Sequence, residues 1–222
     1  MSNFYSNRPS FLSMVTPVVK NLIIINTVIL VATMAIGDKM YEFFALFPFE
    51  SPFFKPYQLI THMFMHGGIW HLFFNMYTLF IFGSVLERIW GSKKFLLFYF
   101  VTGLGAALCH NFVLHLEISS FNAAGQAINA ISLMRTPTVG ASGAIYGVLL
   151  GYGMLFPDNV LQLIFPPIAL KAKWFVVIFA IIELTTGVTG LGGGIAHFAH
   201  LGGMLFGLIL ILIWKKGHKL YN

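Results

Sequence analysis

Residues 140–157 read GASGAIYGVLLGYGMLFP. From Ser142 to Leu155 runs one apolar stretch of 14 residues, and Pro157 ends it. As a helix it is roughly 21 Å long, against a hydrocarbon core about 30 Å thick. If its lower end reaches the inner interface of a bilayer, its upper end stops roughly 10 Å short of the outer one. The chain before Ser142 must then dip into the protein. Irregular backbone at that depth is tolerated only where it is buried in protein or lines water. The stretch predicts a short spanning helix and a wet cavity that opens outward, with Ser142 at its floor.

The rest of the chain agrees that the solvent is lipid. Of 222 residues, 58% are hydrophobic and 9% charged, with a mean hydropathy of +0.83. A soluble domain carries about 25% charged residues. The reading is an all-α, polytopic bundle of about six spans in a single membrane domain, 1–222. The spans fall at about 17–37, 68–89, 93–115, 142–156, 170–187 and 197–214. The first apolar run starts near Leu22 after a polar N-terminus, with no small-residue cleavage pattern behind it. It reads as a spanning helix that also directs insertion.

Two stretches stand apart. Residues 39–66 mix Glu42, Glu50 and Lys55 with six phenylalanines between Phe43 and Phe54, which suits an irregular segment in the headgroup region. Residues 117–141 are polar and small, and are expected to form a long loop. The single Cys109 excludes an intrachain disulfide and a multi-cysteine metal site.

The net charge of +6 reads as a topology signal, and no nucleic-acid partner is expected. With the N-terminus in the cytoplasm, ten basic residues lie inside: Arg8, Lys20, Arg88, Lys93, Lys94, Lys171, Lys173, Lys215, Lys216 and Lys219. Three lie outside: Lys39, Lys55 and Arg135. Both termini are therefore expected to be cytoplasmic.

Three polar groups open outward-facing helix starts in this topology. Ser142 follows Gly140 in a G-x-S-G tetrapeptide, at or next to the N-cap of the fourth span. By itself that is an ordinary cap. His200 opens the sixth span, and a histidine at membrane depth is costly. His200, Gly203 and Gly207 share one face, while the fourth span offers Gly143, Gly147 and Gly151. Small residues at such spacing let backbones approach, which brings His200 toward Ser142. Otherwise the glycines serve packing alone. The third group is His71, Asn75 and Thr78 on one face of the second span, where N–H donors can meet a developing oxyanion. A zinc site competes there, because His62 and His66 have i, i+4 spacing. No helical carboxylate or H-E-x-x-H pattern accompanies them.

H-x-x-x-H-x-x-x-x-H-x-x-x-N at His62–Asn75, G-x-S-G at Gly140–Gly143 and A-H-x-x-G at Ala199–Gly203 together resemble the rhomboid family of intramembrane serine proteases. The likeness runs from about Leu59 to the C-terminus. It implies a Ser–His dyad with no third acidic member and no metal or organic cofactor. Ser142 matches the nucleophile and His200 the base. His71 and Asn75 match the oxyanion donors, Gly140 the loop glycine beside them, and Tyr146 the tyrosine that stacks on the histidine. His62 and His66 resemble residues that structure the first loop, and Glu87-Arg88 the family's Glu/Arg cluster, otherwise an ordinary surface pair.

Tyr57-Gln58 stands where many members carry Trp-Arg, which alters the anchoring of that loop. Glu183, late in the fifth span, is expected to meet a polar contact near the second span or to be protonated. The implied partners are transmembrane protein substrates within the lipid bilayer, cleaved near the outer face. The implied site is a bacterial inner membrane. The alternative is a catalytically inactive rhomboid-like protein that binds membrane clients, a state that goes with loss of the serine or histidine.

Overall fold

The computed structural model describes residues 15–162, 167–190, 196–218 and 220. Arg8 and Lys219, used above for orientation, lie outside the described residues. Helix α1, Pro17–Ile36, starts with proline at its first position, where the missing N–H costs nothing. Its open N–H groups are capped by a distant carboxylate. Val18 and Val19 donate to Glu87 at 2.9 and 3.0 Å, and the Thr16 hydroxyl donates to it as well. Glu87 is 2% exposed, so it is a buried cap and not half of a surface charge pair.

The first loop is irregular, as expected. It carries the short helices α2, Lys39–Phe44, and α3, Gln58–Thr61, and then a 3-10 turn, His62–Phe64. Helix α4, Ile69–Thr78, passes through a π turn, Leu79–Gly83, into α5, Ser84–Ala123. The run bends at Gly91, whose φ of 74° and ψ of 159° are not helical. That break lies between the expected second and third spans. The arm beyond it runs to Ala123, past the expected end near 115. Residues 117–141 are therefore not all loop. They hold the last turns of α5 and helix α6, Ala127–Met134, which is held against the bundle by buried Ala130. The polar residues that suggested loop face out of these helices: Ser119, Ser120 and Asn122 are all exposed.

Helix α7, Ser142–Leu155, lies at the centre. A hairpin, β1 Val160–Gln162 against β2 Ala169–Lys171, leads to α8, Ala172–Thr189, and α9, Ala196–Lys216, closes the fold. Asp158 beside the hairpin accepts from Lys171 and Lys173 at 3.1 and 2.9 Å.

Among the described residues, four helical runs are long and apolar enough to cross a membrane: Pro17–Ile36, Ile69–Ala123, Ala172–Thr189 and Ala196–Lys216. Side chains such as Val28, Val31, Phe112 and Ile213 point outward and are exposed, which suits lipid and not water. The chain is an integral membrane protein. Its core packs α7 between α5 and α9. The approach of α7 to α9 is set by backbone: a Cβ added at Gly203 would lie 1.9 Å from the Gly143 carbonyl oxygen. The glycine faces read from sequence meet as expected.

Candidate active site

Ser142 is the first residue of α7, and the preceding Ala141 holds the cap position. Ser142 is thus one residue past the cap, and the cap residue makes no side-chain capping bond. The Ser142 Oγ lies 2.8 Å from His200 Nε2, across the α7–α9 seam. The ordinary-cap reading therefore fails. The hydroxyl is committed to an imidazole. The Tyr146 ring, one turn further along α7, stacks flat on His200 with centroids 4.2 Å apart and planes 3° from parallel.

His71 approaches from α4. Its Nδ1 accepts from the Gly67 N–H at 3.2 Å. A neutral imidazole with an accepting Nδ1 carries its proton on Nε2. That Nε2 faces the Ser142 turn: a Cβ on Gly140 would lie 3.0 Å from His71 Nε2 and 3.5 Å from Ser142 Oγ. Gly140 also has φ of 135°, which side chains rarely adopt. Glycine is thus required twice, for backbone angle and for space. Asn75 donates one amide N–H to the His71 carbonyl at 3.0 Å, leaving the other.

A cavity of about 440 Å³ joins these groups, lined by His71, Asn75, Thr78, Ser142, Tyr146 and His200 together with Trp70, Phe175 and Phe179. A second, smaller chamber of about 40 Å³ touches Ser142 and His200 from the side of His62, His110 and Thr138. It is polar and has room for a water molecule.

The first loop holds the turn before Ser142 in place. Gly140 donates to the His62 carbonyl at 3.0 Å, and Leu46 and Thr138 bridge their backbones at 2.9 and 2.8 Å. His110 Nε2 lies 2.6 Å from the Thr138 hydroxyl. Buried Gln58 accepts from Lys55 N–H at 3.0 Å and donates to the carbonyls of Phe43 and Phe53 at 3.3 and 3.1 Å. A neutral amide can do both, where a guanidinium can only donate. His62 Nδ1 bonds the Gln58 carbonyl at 2.8 Å, and His66 packs edge-on to His71. Burial pushes the His62 imidazole down to about 4. Burial, and then the neighbouring His71, do the same to His66. His62 is bonded to the loop, and among the described residues the i, i+4 pair forms no group of three potential metal ligands.

One neighbour of His200 was not foreseen. His200 does have a carboxylate beside it. Glu183 of α8 reaches α7 and α9, not the second span. Its Oε1 accepts from the Tyr146 hydroxyl. Its Oε2 is 2.5 Å from His197 Nδ1 and 3.0 Å from His200 Nδ1. The His200 contact lies off the line of the ring N–H, so Nδ1 has no aligned partner. Glu183 is 5% exposed. Among the described residues, Glu183, His197 and His200 are the one group of three potential metal ligands. An acid inside a spanning helix was itself the signal. Its partners were not legible, because they sit on other helices.

The sequence model of the rhomboid domain matches residues 54–216. The chain belongs to the rhomboid family. It is 33% identical to the rhomboid protease AarA of Providencia stuartii over 162 residues, 71% of this chain and 56% of that relative. It is 32% identical to the mitochondrial presenilin-associated rhomboid-like protein of Mus musculus over 194 residues, 82% of this chain and 45% of the relative. RHOMBOID-like protein 4 of Arabidopsis thaliana is 30% identical over 156 residues, 69% and 33% of the respective lengths. The chain thus spans from about a third to just over half of these relatives.

Proposed function

We propose that this rhomboid-family chain is an intramembrane serine endopeptidase that cuts transmembrane-helix substrates near the outer membrane face. The observation that carries the reading is the 2.8 Å contact of Ser142 Oγ with His200 Nε2 at the start of α7, on a largely apolar cavity whose wall also carries His71, Asn75 and Thr78. The family includes a relative named as a protease, which supports the same reading.

His200 Nε2 takes the Ser142 proton as Oγ attacks the scissile carbonyl carbon. The oxyanion faces His71 Nε2–H, the free Asn75 N–H and the N–H groups at the start of α7, where the helix dipole also favours negative charge. Collapse breaks the C–N bond, and the proton on His200 goes to the leaving amine. Water then attacks the acyl carbon, passes a proton to His200, and releases Ser142. No step needs a metal. Small residues N-terminal to the cut, and helix-weakening residues around it, suit a scissile bond that must leave a regular helix.

In this reading the chain has six spans. Two are the arms on either side of Gly91, and one is the short α7. Both termini face the cytoplasm of a bacterium. Reporter fusions at each terminus check the orientation. Fractionation of the native host decides the membrane, since bacterial and mitochondrial relatives match with similar identity.

The test is incubation of the detergent-purified chain with a fluorophosphonate, followed by mapping of the modified residue. Adduct on Ser142, blocked in His200→Ala, is the expected result. A chain that binds a spanning peptide without labelling or cleaving it would be a client binder instead.

A further inference from the structure

A buried carboxylate in a spanning helix is expensive unless its oxygens are matched by donors. Glu183 is matched on both. Oε1 takes the Tyr146 hydroxyl, and Oε2 lies against His197 Nδ1 at 2.5 Å and His200 Nδ1 at 3.0 Å. A carboxylate can only accept, so the histidine nitrogens facing it are donors. A proton on His200 Nδ1 leaves Nε2 free to accept from Ser142, 2.8 Å away.

The three groups come from three helices. Tyr146 both stacks on His200 and donates to Glu183, so it holds ring and acid in one frame. The structure therefore assigns Glu183 as the positioning residue for His200, making the site a Ser142–His200–Glu183 triad held in register by Tyr146 and His197. The assignment rests on the protease reading.

Its physical content is twofold. Glu183 selects the His200 tautomer that can act as base. It also faces the positive charge that develops on the ring when Ser142 gives up its proton, at a depth where few water molecules can do so. The contact is off-line at rest. Resting catalytic hydrogen bonds are often poorly aligned and tighten with substrate. His197 shares Oε2 and competes for it, so a rotation of the carboxyl toward His200 completes the bond.

The full-length chain in detergent is compared with Glu183→Gln, which keeps the shape and one accepting oxygen, replaces the other acceptor by a donating amide, and removes the charge. Fluorophosphonate titration counts active sites, so rates refer to folded molecules. Glu183→Gln lowers kcat and the Ser142 labelling rate together by on the order of 10²-fold or more. Its KM for a spanning peptide stays within about threefold. Glu183→Asp, which restores the charge one methylene short, recovers part of kcat. If Glu183→Gln leaves no titratable sites, Glu183→Asp decides alone, and full kcat there overturns the assignment.

Unchanged kcat in Glu183→Gln also overturns it, as does a loss confined to KM. Activity that chelator removes and zinc restores makes Glu183, His197 and His200 a metal site and overturns it too. A wild-type chain that fails to label at Ser142 sinks the protease reading itself, whereas wild-type labelling with an unaffected Glu183→Gln sinks the triad alone.

Discussion

Helices α8 and α9 both deliver polar groups to α7, but they are held to it in different ways. Along the α7–α9 seam, backbone meets backbone: Gly203 lies over the Gly143 carbonyl, and Gly207 over Gly147. Helix α8 touches mainly through side chains, its backbone coming near α7 at Ala172 beside Gly153. Its buried residues are Ala172, Phe175, Val176 and Glu183, and most of its surface faces outward. Interiors packed to backbone contact yield little, while aromatic side chains can swing. The Ser142–His200 distance is therefore set by the rigid seam. The Glu183 contact and the cavity wall at Phe175 and Phe179 belong to the softer side. In the proposed reaction the chemistry sits on the stiff contact, and the face beside the cavity is the one that can give.

The hardest blow to the seam is chemical. Ser142→Ala and His200→Ala should each reduce cleavage of a spanning peptide by about 10⁴-fold or more while leaving the thermal midpoint near wild type. Wild-type-like turnover by either purified variant would remove the pair from the reaction.

His71→Ala and Asn75→Ala come next. As donors to a developing oxyanion they should lower kcat by about 10–10³-fold. A loss that appears only as raised KM would make them substrate contacts.

Two glycine substitutions contrast the α7–α9 seam with the looser packing of α8. Gly203→Ala drives a methyl into the Gly143 carbonyl, so α9 must move off α7. It should destabilise by about 3 kcal/mol, with activity falling as Ser142 and His200 separate. Gly187→Ala on α8 faces α9, its nearest neighbours being the Phe198 ring at 3.1 Å and the His197 Cβ at 3.4 Å. It should cost less than about 1 kcal/mol, because the ring can turn aside. Equal melting shifts for the two would erase the distinction between the sides.

The smallest effect lies in the first loop. Unfolded imidazoles take up protons near pH 6.5. In the folded chain, His62 and His66 do so only near about 4. The unfolded state thus binds more protons between these values, and stability is full above about pH 6.5 and falls as the pH drops toward 4. Melting curves of detergent-purified protein across that window should show the slope, and His62→Asn should flatten it. An unchanged slope in that variant would assign the titration to other groups.

Much of this was legible in the chain order. Helix positions follow from contiguous apolar length, and the expected recess at Ser142 follows from a helix shorter than a bilayer is thick. The faces carrying Gly143, Gly147, His200 and Gly203 follow from helical periodicity, and the break between the second and third spans from the polar stretch around Gly91. The end of α5 and helix α6 were misread, because Ser119, Ser120 and Asn122 suggest loop when each in fact lies on an exposed helix face.

Sequence alone thus determined the membrane character through local length and period, and the family resemblance through three motifs, while its glycine faces left open a meeting of Ser142 with His200. Tertiary structure alone decided that Glu87 caps α1, that His62 supports Gly140, and that Glu183 lies against His200. Those contacts join elements distant in the chain, and which buried charge meets which donor depends on how helices pack, a quantity that no local pattern encodes.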